Sequence, residues 1–253
     1  MSLSPKDIFS IKSDCYARYR PQYPRQLFDF ILTHVEKKEL ALDCGTGNGQ
    51  SANILAEHFK KVYGIDISSS QIDNAVRKAN IEYIICPAEQ TPFPANTFNL
   101  ITVATAVHWF QFDTFYREIK RVAADKCVFA CWGYNLLKTD RPDLNKMLHS
   151  FYWETLAGYW DKERKFVEQD YSSIPFPFDE IKNPGFVHYV EWSPLELEGY
   201  LNTWSAVHNY IKKTGSNPVT DLIKMVYQKF EPDTVFAITF PLFMRMGRIF
   251  KKQ

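Results

Sequence analysis

From Glu39 to Trp132, short apolar runs alternate with amphipathic segments. Leu40–Leu42, Val62–Ile65, Ile81–Cys86, Leu100–Val103 and Cys127–Trp132 are apolar stretches of strand length. Gln50–His58, Ser69–Ala79 and Phe112–Val122 carry apolar residues three and four positions apart, the spacing of one helix face. Strands alternating with helices in this way predict parallel strands with helices on both sides. Two later runs, Phe186–Trp192 and Val235–Phe243, read as further strands. The expected fold is therefore α/β: a Rossmann-like, doubly wound, mostly parallel seven-stranded sheet.

The flanks have other patterns. Pro21 and Pro24 break the aromatic and basic stretch Tyr16–Pro24, so it cannot be one helix. Pro24 then opens an amphipathic segment with Leu27, Phe28, Ile31 and Leu32 at helical spacing. After Gly133 the alternation stops. Residues 136–180, rich in Trp and Tyr and ending in Ile174-Pro-Phe-Pro-Phe178, predict a helical insertion or cap with an extended arm. Pro194–Tyr210 and Asn217–Phe230 read as helices. Pro241 puts the closing strand at an edge or a bulge, because proline lacks a ladder donor. The chain divides into an N-terminal segment, 1–35, a core, 36–135, and a cap with the two final strands, 136–253.

Composition narrows the chemistry. Aromatic residues make up 16% of the 253, more than a parallel sheet needs, and predict a ring-lined cavity. A formal net charge of +1 argues against nucleic acid or an anionic membrane as an obligatory partner. The cysteines at 15, 44, 86, 127 and 131 form no Cys-x-x-Cys pair, so neither a disulfide framework nor a metal site is expected. Cys127 and Cys131 read as small hydrophobes in a strand. No leader pattern and no apolar run of spanning length stands out, and the expectation is a soluble, cytoplasmic protein.

The densest local signal is Leu42-Asp43-Cys44-Gly45-Thr46-Gly47-Asn48-Gly49, between the first strand and the first helix. Alternate glycines let a ligand approach the backbone closely, and open sheets bind ligands at this turn. Gln50 stands where a dinucleotide fingerprint has its third glycine. Asp43 suits a cationic group and repels a pyrophosphate. S-adenosylmethionine carries an ammonium and a sulfonium and no phosphate, so Asp43 favours it over NAD. Asp66 ends the second strand, where a carboxylate accepts from ribose hydroxyls. Asp66 has a competing reading as a helix cap, as do Ser68 and Ser69.

Leu42–Gly47 and Gly64-Ile65-Asp66 resemble the first two motifs of class I methyltransferases. Ala88-Glu-Gln-Thr-Pro-Phe-Pro94 and Asn99–Phe110 are similar to their third and fourth. Tyr16–Pro24, Arg164, Tyr171, Ile174–Phe178 and Leu201–Ser205 look like a narrower group of small-molecule enzymes similar to trans-aconitate methyltransferase. One departure is Ala123–Cys127, which replaces the usual Pro-Gly-Gly turn before the fifth strand. The resemblance implies that Gly45 and Gly47, with Cys44, line the methionine and ribose of the cofactor. Asp43 would order the loop and approach the ammonium, and Asp66 would hold the ribose. Ile67, Ala88 and Glu89 would border the adenine, and Ala104 and Thr105 would lie under the methionine. Arg20 is the candidate for the methionine carboxylate, against a plain surface ion pair.

The implied activity is methyl transfer to a small molecule, with a carboxylate oxygen as first candidate acceptor. Tyr16, His108, Trp109 and Trp132 are the candidate substrate pocket, with Trp160 and Trp204 as further walls; each tryptophan has an alternative as plain core. His108 reads either as a general base or as a hydrogen-bonded wall residue. Arg164, Arg245 and Arg248 are candidate partners for an acidic substrate. The segment around Tyr16–Tyr23 is expected to close over the cofactor. Two rivals stand beside this reading: a module that binds adenosylmethionine without turnover, and a nicotinamide-dependent oxidoreductase.

Overall fold

A computed structural model of the chain describes residues 19–251. Tyr16, a candidate pocket residue, lies outside the described residues.

Helix α1 (Arg25–Thr33) starts after Pro24 and buries Leu27, Phe28, Ile31 and Leu32, the face its spacing predicts. Then come β1 (Leu40–Cys44), α2 (Gln50–Leu55), β2 (Lys61–Asp66), α3 (Ser69–Asp73), β3 (Ile81–Ile85), β4 (Phe98–Ala104), α4 (Phe112–Val122) and β5 (Ala123–Tyr134). The five strands pair in parallel in the order β3-β2-β1-β4-β5. Strand order reverses between β1 and β4, so the crevice outside their carboxyl ends is the natural ligand site of the sheet. Alternate residues of β5 pack into opposite layers. Val128, Ala130 and Trp132 join α1 and α2, while Cys127, Phe129 and Cys131 join α4. Both faces of β5 are thus covered, which is why Cys127–Trp132 reads as an unbroken apolar run, whereas the edge strand β3 is part-exposed.

The second half adds β6 (Lys138–Thr139), α5 (Pro142–Ser150), a π-turn at Phe151–Thr155, α6 (Arg164–Glu168), β7 (Asp179–Ile181), β8 (Phe186–Trp192), α7 (Pro194–Leu201), α8 (Ser205–Thr214), α9 (Pro218–Lys229) and β9 (Phe236–Ile249). All nine strands of the described residues belong to one sheet. Strand β9 runs antiparallel, with β5 and β6 along one edge and β7 and β8 along the other. Two short strands thus share columns with longer ones, and nine strands fill the seven positions expected. Pro241 pairs with Val187 on one side, and on the other it sits at the bulge that the sequence reading allows: between Tyr134–Leu242 and Lys138–Thr239 the register against β9 shifts by one residue. Asn135 donates its N–H to the Pro241 carbonyl, just past the point where the β5 ladder ends at Tyr134 and Leu242. The nitrogen and carbonyl of a strand residue face the same neighbour, so the missing donor falls where no ladder partner requires it.

Several boundaries depart from the sequence reading: the helix expected over Gln50–His58 ends at Leu55, the strand expected over Val235–Phe243 runs Phe236–Ile249, and in two helices side-chain bonds accompany the break. The helix expected over Ser69–Ala79 ends at Asp73, and bonds of Arg77 to the Ile72 carbonyl and of Lys78 to the Asn53 carbonyl hold the segment beyond it. The helix expected over Pro194–Tyr210 breaks at residues 202–204. There Asn202 and Thr203 side chains donate back to the Glu198 and Tyr200 carbonyls, competing with the helical ladder. Where the Pro-Gly-Gly turn is missing, Lys126 takes the left-handed conformation, with φ of 61°, opposite a register shift in β4.

Candidate active site

A cavity of about 300 Å³ opens at the carboxyl ends of β1, β2 and β4. Gly45, Gly47, Asp66, Ile67, Ala88, Glu89, Ala104 and Thr105 all line it, so eight of the eleven residues expected at the cofactor meet in one place. Gln71, Cys86, Pro87, Ala106, Phe110 and Gln111 also line it. The sequence reading missed them because, Gln71 on α3 apart, they enter from loops without a spacing signal.

The loop is built from buried polar bonds. Asp43 accepts the Thr46 hydroxyl at 2.6 Å on one oxygen and the Thr102 hydroxyl at 2.7 Å on the other. Burial pushes its carboxyl up to about 6, against the pull of those two hydroxyls. Its side chain does not border the cavity; it fixes the loop to β4. Cys44 likewise turns away, into the core beside Leu42 and Ile65. Gly45 has φ of 63°, and a Cβ there would stand 2.6 Å from the Ala106 Cβ. Gly47 has φ of 55° and borders the cavity. Only glycine combines that backbone with that closeness.

Asp66 accepts the Gly47 and Ser68 N–H groups, each at 2.9 Å, one on each oxygen. Burial raises its carboxyl above the ordinary range. Each oxygen keeps a lone pair for a further donor from the cavity. The helix cap is Ser68, whose hydroxyl accepts from the Gln71 N–H. Glu89 accepts the Gln111 N–H at 2.9 Å and closes the far wall. The described lining residues thus offer two carboxylates, a glycine cradle and apolar surface from Ile67, Pro87, Ala88 and Phe110, with no lysine or arginine. This set fits a nucleoside with a cationic tail and opposes a pyrophosphate.

A second cavity, of about 480 Å³, lies against the cap and shares Thr105 and Trp109 with the first. His108, Trp160, Arg164, Tyr200 and Trp204 line it. Arg20 is here rather than at the glycine loop: it donates to the Tyr134 hydroxyl at 2.6 Å and to the Thr203 carbonyl at 3.1 Å. The chain from Tyr19 into α1 crosses the end of β5 and the break after α7, which carries Arg20 past the cofactor side. The described part of the N-terminal segment therefore covers the second cavity and its neck, where the Tyr23 hydroxyl meets the Thr105 hydroxyl at 2.9 Å. Thr105 itself is left-handed, with φ of 54°, an unusual state for a β-branched residue.

The other candidates separate. Trp132 is fully buried between Phe28 and Tyr23, because it shares the β5 face of Val128 and Ala130; it is core and not pocket wall. Arg245 is held by both oxygens of Glu180 at 2.8 and 2.9 Å, and Arg248 donates to the His34 carbonyl. Arg164 remains on the cavity, its Nε donating to the Tyr152 hydroxyl at 2.7 Å and its guanidinium 4.9 Å from the Trp160 ring centre. The His108 Nδ1 lies 2.8 Å from the Tyr171 hydroxyl. Burial, aided by the charge of Arg164, pushes its imidazole down to about 3, so it is neutral at physiological pH. Among the described residues no group of three or more His, Cys, Asp or Glu is placed to hold a metal ion, and no helix is long and apolar enough to cross a membrane.

Comparison with known proteins agrees with this geometry. Residues 42–131 match the model of a methyltransferase domain family. A protein of Dictyostelium discoideum, provisionally assigned as a methyltransferase, is 34% identical over 250 residues, 96% of this chain and 95% of its own. A Saccharomyces cerevisiae protein, provisionally assigned as an S-adenosylmethionine-dependent methyltransferase, is 25% identical over 152 residues, 56% of this chain and 52% of its own. A solved structure from Anaeromyxobacter dehalogenans, provisionally described as a type II methyltransferase, superposes with a TM-score of 0.84 at 35% identity, over 92% of this chain and all of that one. Glycine loop, paired acids, strand order and relatives agree: this chain belongs to the class I S-adenosylmethionine-dependent methyltransferases.

Proposed function

We propose that the enzyme methylates a carboxylate oxygen of a small acidic molecule. The observation that carries this reading is the second cavity, where Arg20 and Arg164 stand among aromatic rings and His108, at its neck, is neutral; the other described histidine lining it, His208, has its Nε2 engaged 2.7 Å from the Asn202 carbonyl. A hydroxyl or amine acceptor must lose a proton on methylation, and a side chain with a pKa near 3 is a poor base for that. A carboxylate is already ionised at neutral pH and needs none.

S-adenosylmethionine supplies an electrophilic methyl carbon on its sulfonium. The chain's own residues bind and align. On this reading Asp66 takes the ribose hydroxyls, Ile67, Ala88 and Glu89 border the adenine, and Gly45, Gly47, Ala104 and Thr105 lie along the methionine. Arg20 and Arg164 draw the acceptor's carboxylate toward the shared wall at Thr105 and Trp109. The aromatic walls exclude water, so alignment of acceptor oxygen, methyl carbon and sulfur supplies most of the rate. Cys44, Cys86, Cys127 and Cys131 are all free thiols, which suits a reducing compartment such as the cytoplasm.

Two measurements test this. Calorimetry with S-adenosylhomocysteine should show binding that Asp66→Ala weakens at least about tenfold, or ~1.4 kcal/mol. Incubation with labelled S-adenosylmethionine and a panel of small acids, alcohols and amines should give base-labile methyl esters. Label transferred only to alcohols or amines would refute the carboxylate assignment.

A further inference from the structure

Behind the neck of the second cavity stands a turn whose backbone is strained. Asp170 and Tyr171 are consecutive, neither is glycine, and both are left-handed, with φ of 54° and 59°. Such pairs persist only where the surroundings hold them. Here the Tyr171 N–H donates to the Phe166 carbonyl at 2.8 Å, and Asn135 donates to the Asp170 carboxylate. Arg245, itself gripped by Glu180, donates to the Tyr171 and Ile174 carbonyls at 3.3 and 2.7 Å. This accounts for Arg245, which the acceptor site does not use.

What the turn delivers is a hydroxyl. The Tyr171 side chain is fully buried, with the Phe243 ring 4.8 Å away, and its oxygen lies 2.8 Å from the His108 Nδ1. That is its only side-chain hydrogen bond among the described residues. Two arrangements are open to the pair. If Nδ1–H donated, the tyrosine proton would have no acceptor within hydrogen-bond distance among the described residues, and an unmade buried donor is the costlier state. The tyrosine therefore donates and Nδ1 accepts. A neutral imidazole then carries its one proton on Nε2. The low basicity of the ring agrees with a neutral state. His108 lines the acceptor cavity, and with Nδ1 engaged, Nε2 is the nitrogen left for a ligand.

We infer that His108 presents an Nε2–H donor to the acceptor cavity, locked in that tautomer by Tyr171, and that this donor holds the oxygen of the acceptor carboxylate that does not attack. The last part rests on the carboxylate reading above; the tautomer does not. His108 takes no proton in the reaction, and Tyr171 is a positioning residue.

The test has two arms. Long-range proton–nitrogen NMR of the histidine-labelled enzyme at neutral pH reads the tautomer directly, with the His108 signals assigned by their loss in His108→Gln. Protonated Nε2 in the wild type, and a shift toward protonated Nδ1 in Tyr171→Phe, are expected. Protonated Nδ1 in the wild type, or no change in Tyr171→Phe, overturns the inference. In the second arm, methylation of the acid panel is compared in His108→Gln, whose amide can donate near the Nε2 position, and His108→Leu, which cannot. His108→Gln should keep most of kcat/KM and His108→Leu should lose about tenfold to hundredfold, the range for one bond to a charged group. S-adenosylhomocysteine affinity should hold in both, as the check on folding. Equal activity of His108→Leu and wild type overturns the inference. So does a dead His108→Gln together with a falling rate on acidification, the mark of a base. If the wild type methylates none of the acids, the carboxylate reading fails and the NMR arm alone decides the tautomer.

Discussion

Replacing Asp43 by asparagine should stabilise the enzyme at pH 8 relative to pH 4.5. The side chain is 1% exposed, and burial lifts its carboxyl from 3.8 to about 6 although the Thr46 and Thr102 hydroxyls pull it down. Between those two values the folded state binds this proton more tightly than the unfolded chain does. The Asp43 contribution to stability is therefore fully present below pH 3.8 and lost as pH rises through about 6. A shift of about two units corresponds to ~3 kcal/mol, of which ~2 kcal/mol is lost between pH 4.5 and 8. His108 acts in the opposite direction. Its imidazole falls from 6.5 to about 3, so the unfolded chain binds more protons in that window and stability rises with pH. Over roughly pH 4 to 6 the two slopes cancel in the wild type, and only the difference between variant and wild type isolates Asp43. Asparagine can bond both threonines once one hydroxyl turns, a cost independent of pH. Urea unfolding followed by tryptophan fluorescence at pH 4.5, 6 and 8 measures the difference. Asp43→Asn should gain ~2 kcal/mol on wild type across that range, about 4–8 °C in Tm. A difference that stays flat, or that falls with pH, would refute the claim that Asp43 is a buried charge without a compensating cation.

Three further outcomes follow from other parts of the site. Gly47→Ala, forced to keep φ near 55° with its Cβ on the cofactor cavity, should lose ~1 kcal/mol of stability and at least about tenfold in S-adenosylhomocysteine affinity, read by thermal melts and calorimetry. Glu118 is buried, which raises its carboxyl, but bonds from Arg121 and Thr91 outweigh this and bring it down to about 2. Its stabilising effect is present above pH 4.5 and lost as pH falls toward 2, so Glu118→Gln should cost roughly 2–3 kcal/mol at neutral pH and progressively less on acidification in the same urea assay. Arg164→Lys keeps the charge but loses the planar bond to Tyr152 and the stack on Trp160. It should raise KM for acidic acceptors several-fold and leave S-adenosylhomocysteine affinity unchanged.

The two cavities differed in how legible they were, and the reason is chain distance. The glycine loop and Asp66 are 17–21 residues apart, joined by one strand–helix–strand step, and the chemistry of such a step is written locally in residue type and spacing. The second cavity collects Arg20, Tyr134, Arg164 and Tyr200 from four separate parts of the chain. Their meeting depends on β9 pairing back against β5 and on the helix break at Thr203, and neither leaves a periodic signal. Arg164, Arg245 and Arg248 were equivalent candidates in sequence. What separates them is a carboxylate across the β7–β9 ladder, Glu180, which takes Arg245, and the His34 carbonyl at the end of α1, which takes Arg248. Trp132 and Trp109 were likewise equal as ring walls, and strand parity sends the first into the core. Thr105 shows both limits at once. Its place after the fourth strand marked it as a candidate beside the glycine loop, and it lines the cavity there. Its left-handed backbone could not be foreseen, since the side chain itself disfavours it. The Thr105 N–H bond to the Trp132 carbonyl at 2.7 Å and the hydroxyl pair with Tyr23 hold it there. Those two bonds join β5 and the N-terminal segment to the one residue that, with Trp109, both cavities share. The strain is therefore stored at the wall between the two cavities, where the proposed function needs donor and acceptor held in line.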